Sequence, residues 1–262
     1  MPDPSQSRVG VAESVVRWWC ESAREDGILL TTRLLFKELA TFVKESTPEH
    51  KRRRYGDVEY DWDNHVDTTS ATVSFRDRLL GVFHSAYQPT DPQFFDEMMS
   101  ALMQYGPPAI AENQLDLSHY CFVDLGSGKG RTLLMASEYS FRRIIGAELL
   151  PDLNQVAQEN IRKFKSDSQK CFTLEARCGD AVQFLFPPEP TVLYLFHPFS
   201  KAVLETVIAN LERSLEETPR SVFVLYHNPL LQTVLDRSDR LTKLTGTQQY
   251  VIYGSRLSAI GP

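Results

Sequence analysis

From residue 118 onward, apolar positions fall in short runs that alternate with stretches repeating apolar residues every three or four positions. The short runs predict strands and the longer repeats predict helices. Residues 121–125 read as a buried strand, followed by a glycine-rich turn and a helix to about Tyr139. Residues 144–148, 172–176, 191–196 and 221–226 read as four more strands. A helix with Leu153, Val156, Ala157, Asn160, Ile161 and Phe164 along one face follows the second, and helices fit at 201–215 and 229–235. Two further strand-like runs, 241–244 and 250–253, are separated by a gap too short for a parallel crossover, which predicts an antiparallel hairpin. Strand–helix alternation of this kind builds a mostly parallel sheet covered on both faces. Such sheets bind ligands at the carboxyl ends of their strands, beside the point where strand order reverses.

Before residue 117 the pattern is helical. Residues 11–23 and 29–43 carry amphipathic repeats broken at Asp26-Gly27, and a third runs from about Pro92 to Met103, ended by Gly106-Pro107-Pro108. Residues 46–70 are polar and rich in turn formers. The expected organisation is therefore a helical lid or substrate region over 1–115 and a ligand-binding α/β domain over 116–262.

Composition narrows the picture modestly. Apolar residues make up 42% and charged residues 24% of the 262 positions, ordinary for a globular protein. A net charge of −6 gives no general attraction to nucleic acid or anionic membranes. The basic run Lys51, Arg52, Arg53, Arg54 is a local exception that could meet an anionic partner, although a solvated face is favoured over nucleic acid. No apolar run reaches the length of a membrane span, and the start is polar rather than leader-like, so a cytoplasmic protein is expected. The four cysteines show no zinc-ligand spacing, and no metal is expected.

The candidate chemistry centres on Val123-Asp124-Leu125-Gly126-Ser127-Gly128-Lys129-Gly130-Arg131. Glycine permits positive φ and close backbone approach, so such a loop can wrap a ligand. A dinucleotide fingerprint would read G-x-G-x-x-G, but its third position here is Arg131. A P-loop would need a hydroxyl residue at Gly130 and a glycine at Val123. An acid at the strand end followed by G-x-G-x-G instead suits a cationic, phosphate-free ligand such as S-adenosylmethionine. Asp124 can reach its amino group. Glu148 lies 24 residues further on, near the offset at which an acid meets ribose hydroxyls. In Cys178-Gly179-Asp180-Ala181, Asp180 can accept from an adenine amino group while Ala181 donates its backbone N–H, or Asp180 can cap a helix. In Tyr194-Leu195-Phe196-His197-Pro198-Phe199, Phe199 can form a wall for a flat or apolar substrate and His197 can take a proton. Tyr226-His227-Asn228-Pro229 ends the next strand in similar style.

These features resemble the class I S-adenosylmethionine-dependent methyltransferases over roughly residues 118–256. The run from Asp124 to Arg131 looks like the cofactor motif of a bacterial group and is similar to the loop of Dot1-type lysine methyltransferases. The resemblance implies a Rossmann-like fold in which Asp124, Gly126, Ser127, Gly128, Gly130, Glu148, Asp180, Ala181, Phe196 and Thr90 line the cofactor pocket. It also implies that Asp67-Thr68-Thr69 and Tyr87-Gln88-Pro89-Thr90 fold over the cofactor. The bacterial group commonly has F-N-P-F where this chain has Phe196-His197-Pro198-Phe199. Asparagine there holds the target nitrogen in amino-group methylases, and His197 breaks that match.

The expected reaction is in-line displacement at the methyl carbon, in which alignment and desolvation dominate. His197, Tyr87 and Asp67, in that order, are the candidate bases. The rival readings are a catalytically silent binding protein on the same fold, a nicotinamide oxidoreductase, and a nucleic-acid adaptor using residues 51–54.

Overall fold

The computed structural model describes residues 58–69, 89–105, 115–196 and 199–256. The chain divides into two compact units, and these residues belong almost wholly to the one formed by Tyr60–Thr69 and Gln88–Pro262. The helices expected at 11–23 and 29–43, the basic run at 51–54, Tyr87 and His197 lie outside the described residues.

Among the described residues two α-helices precede the sheet: α1 (Val58–Asn64) and α2 (Pro92–Met103). The rest is β1 (Cys121–Leu125), α3 (Arg131–Ala136), β2 (Arg143–Glu148), α4 (Pro151–Lys163), β3 (Leu174–Cys178), β4 (Thr191–Phe196), α5 (Lys201–Glu217), β5 (Val222–His227), α6 (Gln232–Asp236), β6 (Leu241–Gly246) and β7 (Tyr250–Ser255). The seven strands lie in the order β3-β2-β1-β4-β5-β7-β6. Strands β1 to β5 are parallel, whereas β7 runs antiparallel to β5 and to β6. The expected Rossmann-like α/β sheet with a terminal hairpin is the fold observed. Strand order reverses between β1 and β4, so Leu125 and Phe196 mark the edge where a ligand crevice belongs.

Strand alternation divides the core in two. Phe122, Ile144, Val192, Tyr194, Phe223, Leu225 and Ile252 face one layer, with Phe95, Met98, Met99 and Leu102 of α2. Val123, Leu125, Ile145, Leu193, Leu195, Val224 and Val251 face the other, against Leu204, Val207, Ile208, Leu211 and Leu215 of α5. Helix starts follow local chemistry. Asp91 caps α2 by accepting from the Gln93 N–H at 2.8 Å, with Pro92 at the first helical position. Helix α4 opens with Pro151 and Asp152 and ends with Arg162 and Lys163, matching its dipole.

Three departures from the sequence pattern have identifiable causes. The polar stretch 46–70 contains α1, whose helical state is supported by contacts to distant residues described below rather than by an apolar stripe. The helix after β1 ends at Ala136, because the Ser137 hydroxyl donates to the Leu134 carbonyl and a turn follows. Strand β3 starts at Leu174 rather than Phe172, which is 77% exposed; Lys170 and Cys171 donate their N–H groups to the Ser137 carbonyl before the strand begins.

Candidate active site

The glycine turn is a backbone construction. Gly126, Gly128 and Gly130 have φ of 88°, 53° and 83°, a left-handed region that side chains disfavour. The N–H groups of Gly126 and Ser127 both donate to the Ala147 carbonyl, folding the turn back over β2. Close packing fixes two glycines further. A Cβ on Gly146 would meet Leu133 and Ser127 at 2.7 Å, and one on Gly130 would meet the Ala157 Cβ of α4 at 3.1 Å.

Two carboxylates stand at the strand ends beside this turn. Glu148 Oε2 accepts the Gly128 N–H at 2.8 Å, and Oε1 accepts the Leu150 N–H at 2.9 Å. Each oxygen keeps a further lone pair, so the group can still receive two hydroxyls. Burial raises the Glu148 pKa, opposed by those backbone donors. Asp124 is deeper. Burial and then the neighbouring Glu148 charge push its pKa up to about 8, against a hydrogen bond from Thr132. A buried carboxylate beside a second carboxylate favours a cationic group and disfavours a phosphate.

Neither basic residue of the motif neutralises these acids. The Lys129 ammonium donates to Asp67 at 2.6 Å. Arg131, 1% exposed, donates from Nε to the Thr68 hydroxyl at 2.6 Å and approaches Asp61 at 3.4 Å, with its Cζ 4.9 Å from the Tyr60 ring centre. Asp61 in turn accepts from the Thr68 and Thr69 N–H groups at 2.8 and 2.7 Å and from the Thr68 hydroxyl. Asn160 completes the clasp: its amide donates to the Asp67 and Lys129 carbonyls and accepts the Asp67 N–H. The segment around α1 is thereby fastened to the glycine turn through charges and amides. A P-loop role for Lys129 has no geometric support.

On the other flank, the Gly179 N–H donates to the Glu148 carbonyl, which brings Asp180 and Ala181 beside the end of β2. The Asp180 carboxylate accepts the Val182 N–H at 3.0 Å and caps a short 3-10 turn. That cap uses one lone pair and leaves the carboxylate able to accept another donor.

Across β1, Tyr194 pairs in register with Asp124. Its hydroxyl lies 2.8 Å from the Thr90 hydroxyl and 2.9 Å from Nδ1 of His227. The His227 ring stacks on Phe196, with centroids 4.0 Å apart and planes 11° apart. Burial lowers the His227 pKa to about 4, opposed by Asp91.

Of the candidate residues within the described part, Asp124, the glycine turn, Glu148, Asp180, Ala181, Phe196 and Thr90 gather at the carboxyl edge of the sheet. Asp67 joins a different network, the clasp with Lys129 and Asn160. Sequence reasoning passed over Tyr194, gave His227 little weight, and placed Asn160 among apolar helix positions. An amide inside an apolar stripe was the available signal for Asn160, because a buried amide must find partners. Among the described residues no group of three or more His, Cys, Asp or Glu is placed to hold a metal, and no helix is long and apolar enough to cross a membrane.

No protein-family model matches the chain, and no curated protein sequence matches it. Solved structures are similar to it at low identity. An RNA methyltransferase from Salinibacter ruber in complex with S-adenosyl-L-homocysteine is similar at 21% identity, covering 64% of this chain and 92% of that one, with a TM-score of 0.39. A dimethyladenosine transferase from Plasmodium falciparum is similar at 12% identity, covering 67% and 66%, with a TM-score of 0.43. A precorrin 8w decarboxylase from Methanobacterium thermoautotrophicum is similar at 16% identity, covering 64% and 92%, with a TM-score of 0.41. At these values the likeness carries no argument about this chain's activity or substrate.

Proposed function

We propose that the chain is an S-adenosylmethionine-dependent methyltransferase. The observation that carries this reading is the pairing of Asp124 and Glu148 on adjacent parallel strands around the positive-φ glycine turn, at the strand-order switch point. Asp124 would meet the ligand's ammonium, whose charge offsets the desolvation of the carboxylate. Glu148, already fixed by Gly128 and Leu150, would accept the two ribose hydroxyls. Asp180 and Ala181 would bracket the adenine edge, with Phe196 and Thr90 near the reacting end.

When bound, S-adenosylmethionine supplies an electrophilic methyl carbon on a sulfonium. The protein's part is alignment of the acceptor and exclusion of water, which suits a site of buried carboxylates and aromatic rings. Under this reading residues 1–115 contribute the lid and substrate wall, and His197, Tyr87 and Asp67 are base candidates; the Lys129 ion pair makes Asp67 the weakest of them.

Calorimetric titration with S-adenosylmethionine, S-adenosylhomocysteine and NADH tests the proposal. Micromolar binding of either adenosyl compound, lost in Asp124→Ala and Glu148→Ala, is the expected result. Absence of binding, or preference for NADH, overturns it.

A further inference from the structure

Thr90 stands with the cofactor-pocket candidates, but the Tyr194–His227 pair to which its hydroxyl is hydrogen-bonded is unaccounted for by cofactor binding, and its chemistry points to the acceptor. Resting on the methyltransferase reading, we propose that Nε2 of His227 accepts a hydrogen bond from a weakly basic N–H or O–H nucleophile on an aromatic acceptor and takes that proton as the methyl is transferred. Tyr194 and Thr90 are positioning residues that hold the ring in the tautomer with the proton on Nδ1.

Four observations support this. His227 ends β5 beside Phe196, the last residue of β4, at the carboxyl edge that also carries Asp124. Its Nδ1 is engaged by Tyr194 at 2.9 Å, whereas Nε2 has no hydrogen-bond partner among the described residues. The ring is clamped against Phe196 and lies 6.2 Å from Phe94, so Nε2 has a fixed heading. The surroundings are apolar or neutral: Phe94, Phe196, Tyr194 and the in-register Tyr250, with Asp91 the charged neighbour acting on the ring.

The lining and the strength of the base together select the acceptor class: the Phe196 and Phe94 rings beside His227 offer aromatic surface to a flat acceptor, and the base matches such an acceptor in strength. With a pKa lowered to about 4, His227 is neutral at physiological pH and ready to accept. An aliphatic ammonium, with an ordinary pKa near 10.4, lies about six units too high to be deprotonated there. An aromatic amine or hydroxyl becomes strongly acidic once its lone pair bonds the methyl carbon, which matches a weak base. In the step, the acceptor's lone pair forms the new bond, and the carbon–sulfur bond breaks with its electrons left on sulfur. The N–H or O–H proton passes to Nε2, and the imidazolium then loses it to water.

Two-bond 15N–1H correlation spectra of the histidine rings test this, on full-length protein saturated with S-adenosylhomocysteine. His227→Gln assigns the resonance, and calorimetry on the same sample reads the underlying methyltransferase proposal separately. The expected pattern is an Nδ1–H, Nε2-unprotonated ring at neutral pH. Addition of phenol or adenosine should shift Nε2, and whichever does so identifies a hydroxyl or a nucleobase acceptor; butylamine should not. Tyr194→Phe should erase the tautomer preference while adenosylhomocysteine still binds, and Thr90→Val should weaken it if the tyrosine variant does not fold. An Nε2–H ring, no response to either aromatic probe, or a response to butylamine alone overturns the proposal.

Discussion

The Glu148 carboxylate accepts the Gly128 N–H at 2.8 Å, so the acid proposed to hold ribose also holds the apex of the glycine turn. Its second oxygen accepts from Leu150. Binding and local folding are therefore linked through one side chain. Glu148→Gln retains one oxygen acceptor for two backbone donors and should cost about 1–3 kcal/mol through the donor left unsatisfied. Urea unfolding of the variant checks the stability loss, and calorimetry should show weaker adenosylhomocysteine binding in parallel.

Asp124 predicts a pH dependence of definite sign. Its folded pKa of about 8 lies above its unfolded value, so the native state binds more protons and this group's contribution to stability falls as pH rises from about 4 to 8. A cationic ligand favours the ionised carboxylate, so affinity should rise over the same window, by at most about tenfold per pH unit for one linked proton. Calorimetry with adenosylhomocysteine between pH 6 and 8 reads the slope. Asp124→Asn should flatten it.

Gly146 faces Leu133 and the Ser127 side chain across a gap already filled. Gly146→Ala would place its Cβ 2.7 Å from both, an overpacking that should destabilise by about 1–3 kcal/mol. Because Ser127 belongs to the glycine turn, adenosylhomocysteine affinity should fall as well. Thermal unfolding with and without ligand separates the two effects.

Asp61 is the centre of the clasp that holds the α1 segment to Arg131. Its side chain is 10% exposed and that of Arg131 is 1% exposed. Asp61→Ala removes the acceptor of the Thr68 and Thr69 N–H groups together with a carboxylate beside buried Arg131, and should cost about 1–3 kcal/mol for each buried donor left unsatisfied. The exposed partner Asp67, at 64%, should matter much less to stability when changed to Asn, about 0–1 kcal/mol. Denaturant midpoints of the two variants test this ordering.

The sequence by itself determined the sheet, the turn and the identity of the two strand-end acids. Strands buried on both faces print themselves as apolar runs, and β1 and β4 begin and end where those runs do. The turn is legible because glycine adopts φ near 88°, 53° and 83° at little steric cost, and it occupies three alternate positions there. The short 245–249 gap forced the antiparallel hairpin, since a parallel return needs a longer crossover. Tertiary structure alone decided what the polar side chains do. Lys129 and Arg131 sit inside a ligand-binding motif yet turn to Asp67, Asp61 and Thr68, residues more than sixty positions away. Tyr194 and His227 meet because β4 and β5 are neighbours, and Thr90 joins them from ahead of α2. Local periodicity reports which face of an element is buried. It carries no record of a hydrogen-bond partner supplied by a distant part of the chain, and the clasp and the buried histidine relay are built from such partners.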